Sequence, residues 1–169
     1  MTQSVAPFSI SRVLNAPRDL VFKVHTHAEH LQKWMSPEGF KAIHASMDFR
    51  VGGTYHYGLE GPNGMQMWGK QVFREIVPNE RLTYIQSFSD KDGGNTRHPM
   101  SQTWPLEMLA TTTFEDIDEA STKVTITWQP RPELNGDMCH CSTMSSSILP
   151  AWRTCRQILV ACCRVRRQK

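Results

Sequence analysis

Nothing in the first 138 residues can enter a disulfide, because all five cysteines lie between Cys139 and Cys163. An odd number crowded into one end excludes a secreted disulfide scaffold and points to a reducing compartment with free thiols. Long apolar runs are missing too. No stretch approaches the roughly 18 residues a membrane span needs, and Met1 to Val5 carries neither a basic cluster nor a secretory apolar core, so cytoplasm is expected. A basic face is lacking where nucleic acid would need one. Residues 1–129 hold 12 Lys/Arg against 14 Asp/Glu, and the formal excess of +3 arises from residues 130–169, with 7 against 2. The low hydrophobicity of disordered chains is likewise absent, since 39% of the 169 residues are hydrophobic and 21% charged. That length suits one folded domain, 1–169, without staples. Glycine-rich phosphate loops, a G-x-S-x-G elbow and a set of nucleophile, base and orienter are not found, and no internal repeat occurs.

What is there is strand alternation. Phe8 to Leu14 alternates at period two, and Asn15-Ala16-Pro17 then supplies a cap-like turn into a helix over about 17–25, with Leu20, Val21 and Val24 expected on its buried face. A second short helix over about 28–35 carries Ala28, Leu31, Trp34 and Met35. Ser36-Pro37-Glu38-Gly39 breaks the period, and a meander follows. Its strands are expected at 40–49, 54–59, 65–76, 81–88, 106–114 and 122–128, separated by turns at Val51-Gly52-Gly53, Gly61-Pro62-Asn63-Gly64 and Pro78-Asn79-Glu80. Residues 89–105 read as a long polar loop, and only 151–165 of the Cys-, Ser- and Arg-rich remainder reads as helix. This order predicts an α+β fold with a curved antiparallel sheet.

Alternation turns Met47, Phe49, Tyr55, Tyr57, Tyr84, Phe88, Met108 and Phe114 to one face, joined by Trp34, Phe40 and Trp104. Such a set is a packed core first, and a pocket lining if a cavity exists. Met65, Met67, Met100 and Met108 suit adaptable packing in either case. His25-x-His27-x-x-His30 lacks the same-face spacing of a helical zinc site and reads as solvated surface, while Cys139-His140-Cys141 has no second pair to complete a tetrahedron. No metal or other cofactor is expected. Glu60, Glu75, Glu107 and the acids from Asp116 to Glu119 read as strand-edge and turn charges, and the run from Arg164 to Lys169 as a solvated tail.

Four motifs stand in fixed order: Trp34-x-x-Pro37-x-Gly39-Phe40, Asp48-x-Arg50-x-Gly52-Gly53-x-Tyr55, Gly61-Pro62-x-Gly64, and Glu75-Ile76-x-Pro78-x-Glu80-Arg81-Leu82. Together they make residues 7–129 resemble bacterial proteins similar to the activator of the ninety-kilodalton heat-shock chaperone's ATPase, in the START-like (SRPBCC) helix-grip superfamily. The resemblance implies a bent sheet of six or seven strands gripping a C-terminal helix around a cavity for apolar or amphipathic molecules. The ligand-binding set is then Trp34, Phe40, Met47, Phe49, Tyr55, Tyr57, Met67, Tyr84, Phe88, Trp104 and Met108. It also implies a departure. The Gly-Trp-Gly-like stretch and Leu/Ala-rich stripe that usually close this family are not found after Gln129, so residues 130–169 are atypical, and those beyond about 133 read as a frameshifted or otherwise replaced terminus.

The leading expectation is a binding module for a small apolar ligand, rather than a self-sufficient enzyme. One alternative is a partner module for a heat-shock chaperone; another is a cyclase- or hydrolase-like enzyme using the pocket, with Tyr55, His56 and Tyr57 first in line. A replaced terminus would leave apolar sheet uncovered and favour a homodimer.

Overall fold

The computed structural model of the chain describes residues 7–98 and 104–131. Strand β1 (Phe8–Leu14) leads into helices α1 (Arg18–Thr26) and α2 (Ala28–Met35). The chain then lays down β2 (Lys41–Met47), β3 (Thr54–Glu60), β4 (Gln66–Val77) and β5 (Arg81–Ser89). A two-residue strand β6 (Asn95–Thr96) precedes β7 (Met108–Asp118) and β8 (Ser121–Pro130). Every pairing is antiparallel, in the order β1-β8-β7-β5-β4-β3-β2, with β6 added on β5. The architecture is the expected α+β arrangement of an antiparallel sheet with two helices after its first strand, with seven strands along the path and β6 as an eighth. The expected helix at 151–165 and the replaced terminus lie outside the described residues. No helix among the described residues is long and apolar enough to cross a membrane.

The sheet is built on the alternation that the sequence carries. Pairs such as Phe8↔Trp128, Ile126↔Thr112, Ala110↔Tyr84, Tyr84↔Phe73 and Met47↔Tyr55 place their side chains on one common face, called inner here because α1 and α2 cover one end of it. On the outer face hydroxyls meet across strands instead, Ser9 with Thr127 at 2.7 Å and Ser11 with Thr125 at 2.8 Å. Register shifts at Ala42/His44, Phe73/Glu75 and Asp116/Asp118 mark bulges that bend their strands.

Of the face expected to be buried on helix α1, Val21 is in the core and Val24 packs against it, but Leu20 is not buried. Leu20 is 50% exposed, while Val21, Phe22, His25 and Thr26 are buried. Phe22 meets Phe114 edge-on at 5.3 Å, and His25 sits between Trp34 (4.8 Å) and Phe114 (5.2 Å). The solvated reading of the histidine trio therefore holds for exposed His27 and fails for His25. The ring of His25 is drawn in by aromatic neighbours from α2 and β7, which spacing along one helix does not encode. Since a carbonyl only accepts, His25 Nδ1–H donates to Val21 O at 2.8 Å, and Nε2 is left buried with no hydrogen-bond partner among the described residues. Burial pushes this imidazole down to about 4, partly opposed by the Val21 carbonyl.

The turn after β2 shows two separate reasons for glycine. Gly52 has φ +81, a conformation L side chains rarely adopt. Gly53 needs room, because a Cβ there would lie 2.1 Å from the Asp48 carbonyl oxygen. Asp48, inside the strand expected at 40–49, sits with Arg50 in this turn, where Arg50 Nε donates to both Asp48 carboxylate oxygens at 3.0 and 2.8 Å. Gly52 N–H to Phe73 O (2.8 Å) and Phe73 N–H to Gly53 O (3.0 Å) then dock the turn against β4.

Candidate functional site

Beyond the helices, the inner face is lined by aromatic rings and methionines from adjacent strands. Tyr55 and Tyr57 on β3 stack at 5.3 Å, and Tyr57 lies over Gly69 of β4, whose missing side chain leaves room for the ring. Gly69 pairs on its other side with Phe88, and Gln86 of the same strand pairs with Met108 of β7. The structure thus brings Tyr55, Tyr57, Tyr84, Phe88 and Met108 onto one surface, with Met47 and Met67 continuing it across β2 and β4. Trp104 joins from the loop, meeting His98 at 5.5 Å, and His98 meets Phe88 edge-on at 4.6 Å.

Three sequence-nominated residues stand apart. Trp34 is buried between the helices, where its Nε1–H donates to Val24 O at 3.0 Å. Phe49 belongs to the turn after β2 and packs against Phe22 and Phe73. Phe40 folds over Gly61 beyond the end of β3.

Polar groups are set within this aromatic surface, and the sequence reading missed them. Gln71 and Gln86 are direct cross-strand partners on the inner face. Gln86 Oε1 accepts from Trp128 Nε1–H at 3.3 Å, and the Tyr84 hydroxyl lies 3.4 Å from Thr112 Oγ1. Burial raises the Tyr55 phenol far above its ordinary value, so at neutral pH it is an uncharged hydroxyl. Burial also lowers the His98 imidazole, favouring its neutral form. The available signal was register: extending period two through the polar positions of β4 and β5 puts Gln71 and Gln86 with Tyr84 and Phe88.

Carboxylates near the sheet ends are occupied by structural pairing. Arg81 grips Glu75 with Nε and Nη2 at 2.9 Å each, across the Pro78-Asn79-Glu80 turn, and Thr83 adds a third donor. The Arg81 hydrogen bonds hold the Glu75 carboxyl below the usual range. Arg131 binds Glu107 at 2.7 Å. Among the described residues no group of three His, Cys, Asp or Glu could hold a metal ion. An open depression of about 520 Å³ lies off the inner face, lined by His44, Asp48, Arg50, Thr54 and His56 among others.

A family model described as "Activator of Hsp90 ATPase homolog 1-like protein" matches residues 15–146. Solved structures of similar fold include a protein from Chromobacterium violaceum, with a TM-score of 0.70 at 22% identity over 94% of this chain and 95% of that one. A Mycobacterium smegmatis protein gives 0.73 at 15% identity over 96% and 91%. The AHSA1 protein of Silicibacter pomeroyi gives 0.66 at 13% identity over 94% and 96%. At these identities the likeness concerns the fold. No curated protein matches the sequence.

Proposed function

The chain belongs to the activator of Hsp90 ATPase homolog 1-like family, of START-like fold, and from that premise we propose that it binds a small hydrophobic or amphipathic molecule on the inner face of its sheet. The observation that carries this reading is the Gln71–Gln86 pair set among Tyr55, Tyr57, Tyr84, Phe88 and Met108. Gln86 answers the Trp128 indole N–H, but a core that only had to pack gains nothing from a second amide facing it, since each polar group withdrawn from water must be repaid by a hydrogen bond. In a binding surface, the rings supply apolar contact and the amides and phenol fix the ligand's polar end.

The test is titration of the fluorescent amphiphile anilinonaphthalene sulfonate, with native mass spectrometry of the purified chain for co-purifying small molecules. Saturable one-to-one binding is expected, weakened about tenfold by Tyr57→Ala, the scale of one lost aromatic contact. Gln86→Leu should change the preference between charged and uncharged amphiphiles. Binding that is non-saturable, or indifferent to both substitutions, would overturn the proposal.

A second reading, a partner module for the ninety-kilodalton heat-shock chaperone, is favoured by the description of the matching family. Adding the purified chain to that chaperone and measuring ATP turnover decides it; unchanged turnover at saturating concentration removes this reading.

A further inference from the structure

The outer face carries a cluster unrelated to the aromatic surface. His44 of β2 and His56 of β3 lie on strands paired through Ser46↔His56 and His44↔Gly58, and their ring centres are 5.1 Å apart. Trp68 of β4 backs both rings, at 5.5 Å from His44 and 5.4 Å from His56, and itself lies over Gly58. Both imidazoles line the open depression of about 520 Å³, so solvent reaches them.

The hydrogen bonding of His56 fixes its tautomer. Its Nε2 lies 3.1 Å from the carbonyl oxygen of Asp90 and 3.2 Å from Ser89 Oγ. A carbonyl only accepts, so Nε2 carries the proton and Nδ1 keeps a free lone pair. Imidazoles that ligate metals are oriented in this way, with the second ring nitrogen donating to a backbone carbonyl or carboxylate. The carbonyl is itself held in place. Asp90 Oδ1 accepts from Asp92 N–H (2.9 Å) and Gly94 N–H (2.8 Å), and Asp90 N–H donates to Gly94 O (2.9 Å). Lys70 Nζ donates to Gly93 O at 2.6 Å and ties the same loop to β4.

The separation of the rings fits a shared ion. A nitrogen about 2 Å from a metal puts its ring centre roughly 3.2 Å away, so two imidazoles meeting at 90–110° have centres roughly 4.5–5.2 Å apart. The observed 5.1 Å falls inside that interval. The His27–His30 pair, at 5.8 Å and with His30 Nε2 3.6 Å from a Glu29 oxygen, falls outside it.

We propose that His44 and His56 form a two-imidazole site on the outer face for a divalent transition metal of the Cu²⁺, Ni²⁺ or Zn²⁺ class, with the remaining positions left to solvent. Imidazole nitrogen suits these ions, and neutral ligands favour them over magnesium or calcium, which want oxygen.

Cu²⁺ alone is the probe, titrated into the full chain after iodoacetamide has capped its five cysteines. Tryptophan fluorescence is the readout, because Trp68 stands beside both rings and a bound Cu²⁺ quenches it. The expected result is one saturable quenching phase that disappears in His44→Ala and in His56→Ala, and survives His27→Ala. In Trp68→Phe the quenching should vanish while the calorimetric heat of binding remains. Should an alanine variant lose its far-ultraviolet circular dichroism, glutamine at the same position replaces it. A phase unchanged in both histidine variants, quenching that persists without Trp68, or no saturable phase at all would overturn the proposal.

Discussion

The two ends of the inner face use the same residue types for different ends. Under α1 and α2 the packing is close and interlocked: Phe22 against Phe114, His25 between Trp34 and Phe114, and Val21 and Phe73 almost wholly buried. Across β3, β4, β5 and β7 the rings are interspersed with Gln71, Gln86 and the tyrosine hydroxyls, and Tyr57 and Phe88 keep partial exposure. The first end is organised for stability. The second sets amides and hydroxyls, and the partly exposed Tyr57 and Phe88, among its buried rings, the composition that the proposed binding role requires.

That contrast breaks if substitutions at the two ends behave alike. The largest effect is expected at Phe114, 2% exposed and in contact with two helix rings. Phe114→Ala should lower stability in urea denaturation by about 3–5 kcal/mol, through lost transfer energy plus the cavity left behind. Phe88→Ala should cost clearly less; an equal loss would erase the distinction.

Acid should act next, and through the helix end. His25 falls from an ordinary 6.5 to about 4 in the folded chain, so the unfolded chain binds a proton that the folded one refuses. Its contribution is complete above pH 6.5 and is lost as pH falls towards 4, at most about 3 kcal/mol for that displacement. Urea midpoints measured between pH 7 and pH 4 should show this slope, and His25→Leu should flatten it. A slope unaffected by that substitution would place the acid sensitivity elsewhere.

Tyr57→Ala sharpens the other half. Stability should fall by only about 1–2 kcal/mol, the range for a partly buried ring that leaves no sealed cavity, while amphiphile affinity drops about tenfold. The smallest effect is expected at the Glu75–Arg81 pair, which faces solvent. Glu75→Gln should shift the urea midpoint less than any substitution above and leave amphiphile affinity unchanged, with the shift shrinking further in high salt.

The sequence disclosed the strands and turns because each apolar position alternates with a polar one and each turn is spelled by glycine, proline or asparagine. It disclosed the ring-bearing positions on β3, β5 and β7 for the same reason. Three things escaped. Strand β6 is only Asn95–Thr96, two polar residues in a glycine-rich loop, and its pairing with Phe88 and Ser89 is a long-range fact. On α1, Val21 and Val24 were placed rightly, but aliphatic spacing also favoured Leu20, whereas the partners on β7 and α2 select Phe22 and His25. Gln71 and Gln86 were overlooked because their meaning lies in cross-strand register, which becomes visible only once β4 and β5 are aligned.

The rings laid over glycines on β3 and β4 have a consequence for folding fidelity. Tyr57 faces Gly69 and, one step along, Gly58 faces Trp68, so large and small alternate between the strands on opposite faces. Sliding the hairpin by one residue would set Tyr57 against Trp68, or leave Gly58 beside Gly69 with nothing to cover either. The native alignment is the one in which each ring finds a hollow, and the two strands work like a key cut on both edges.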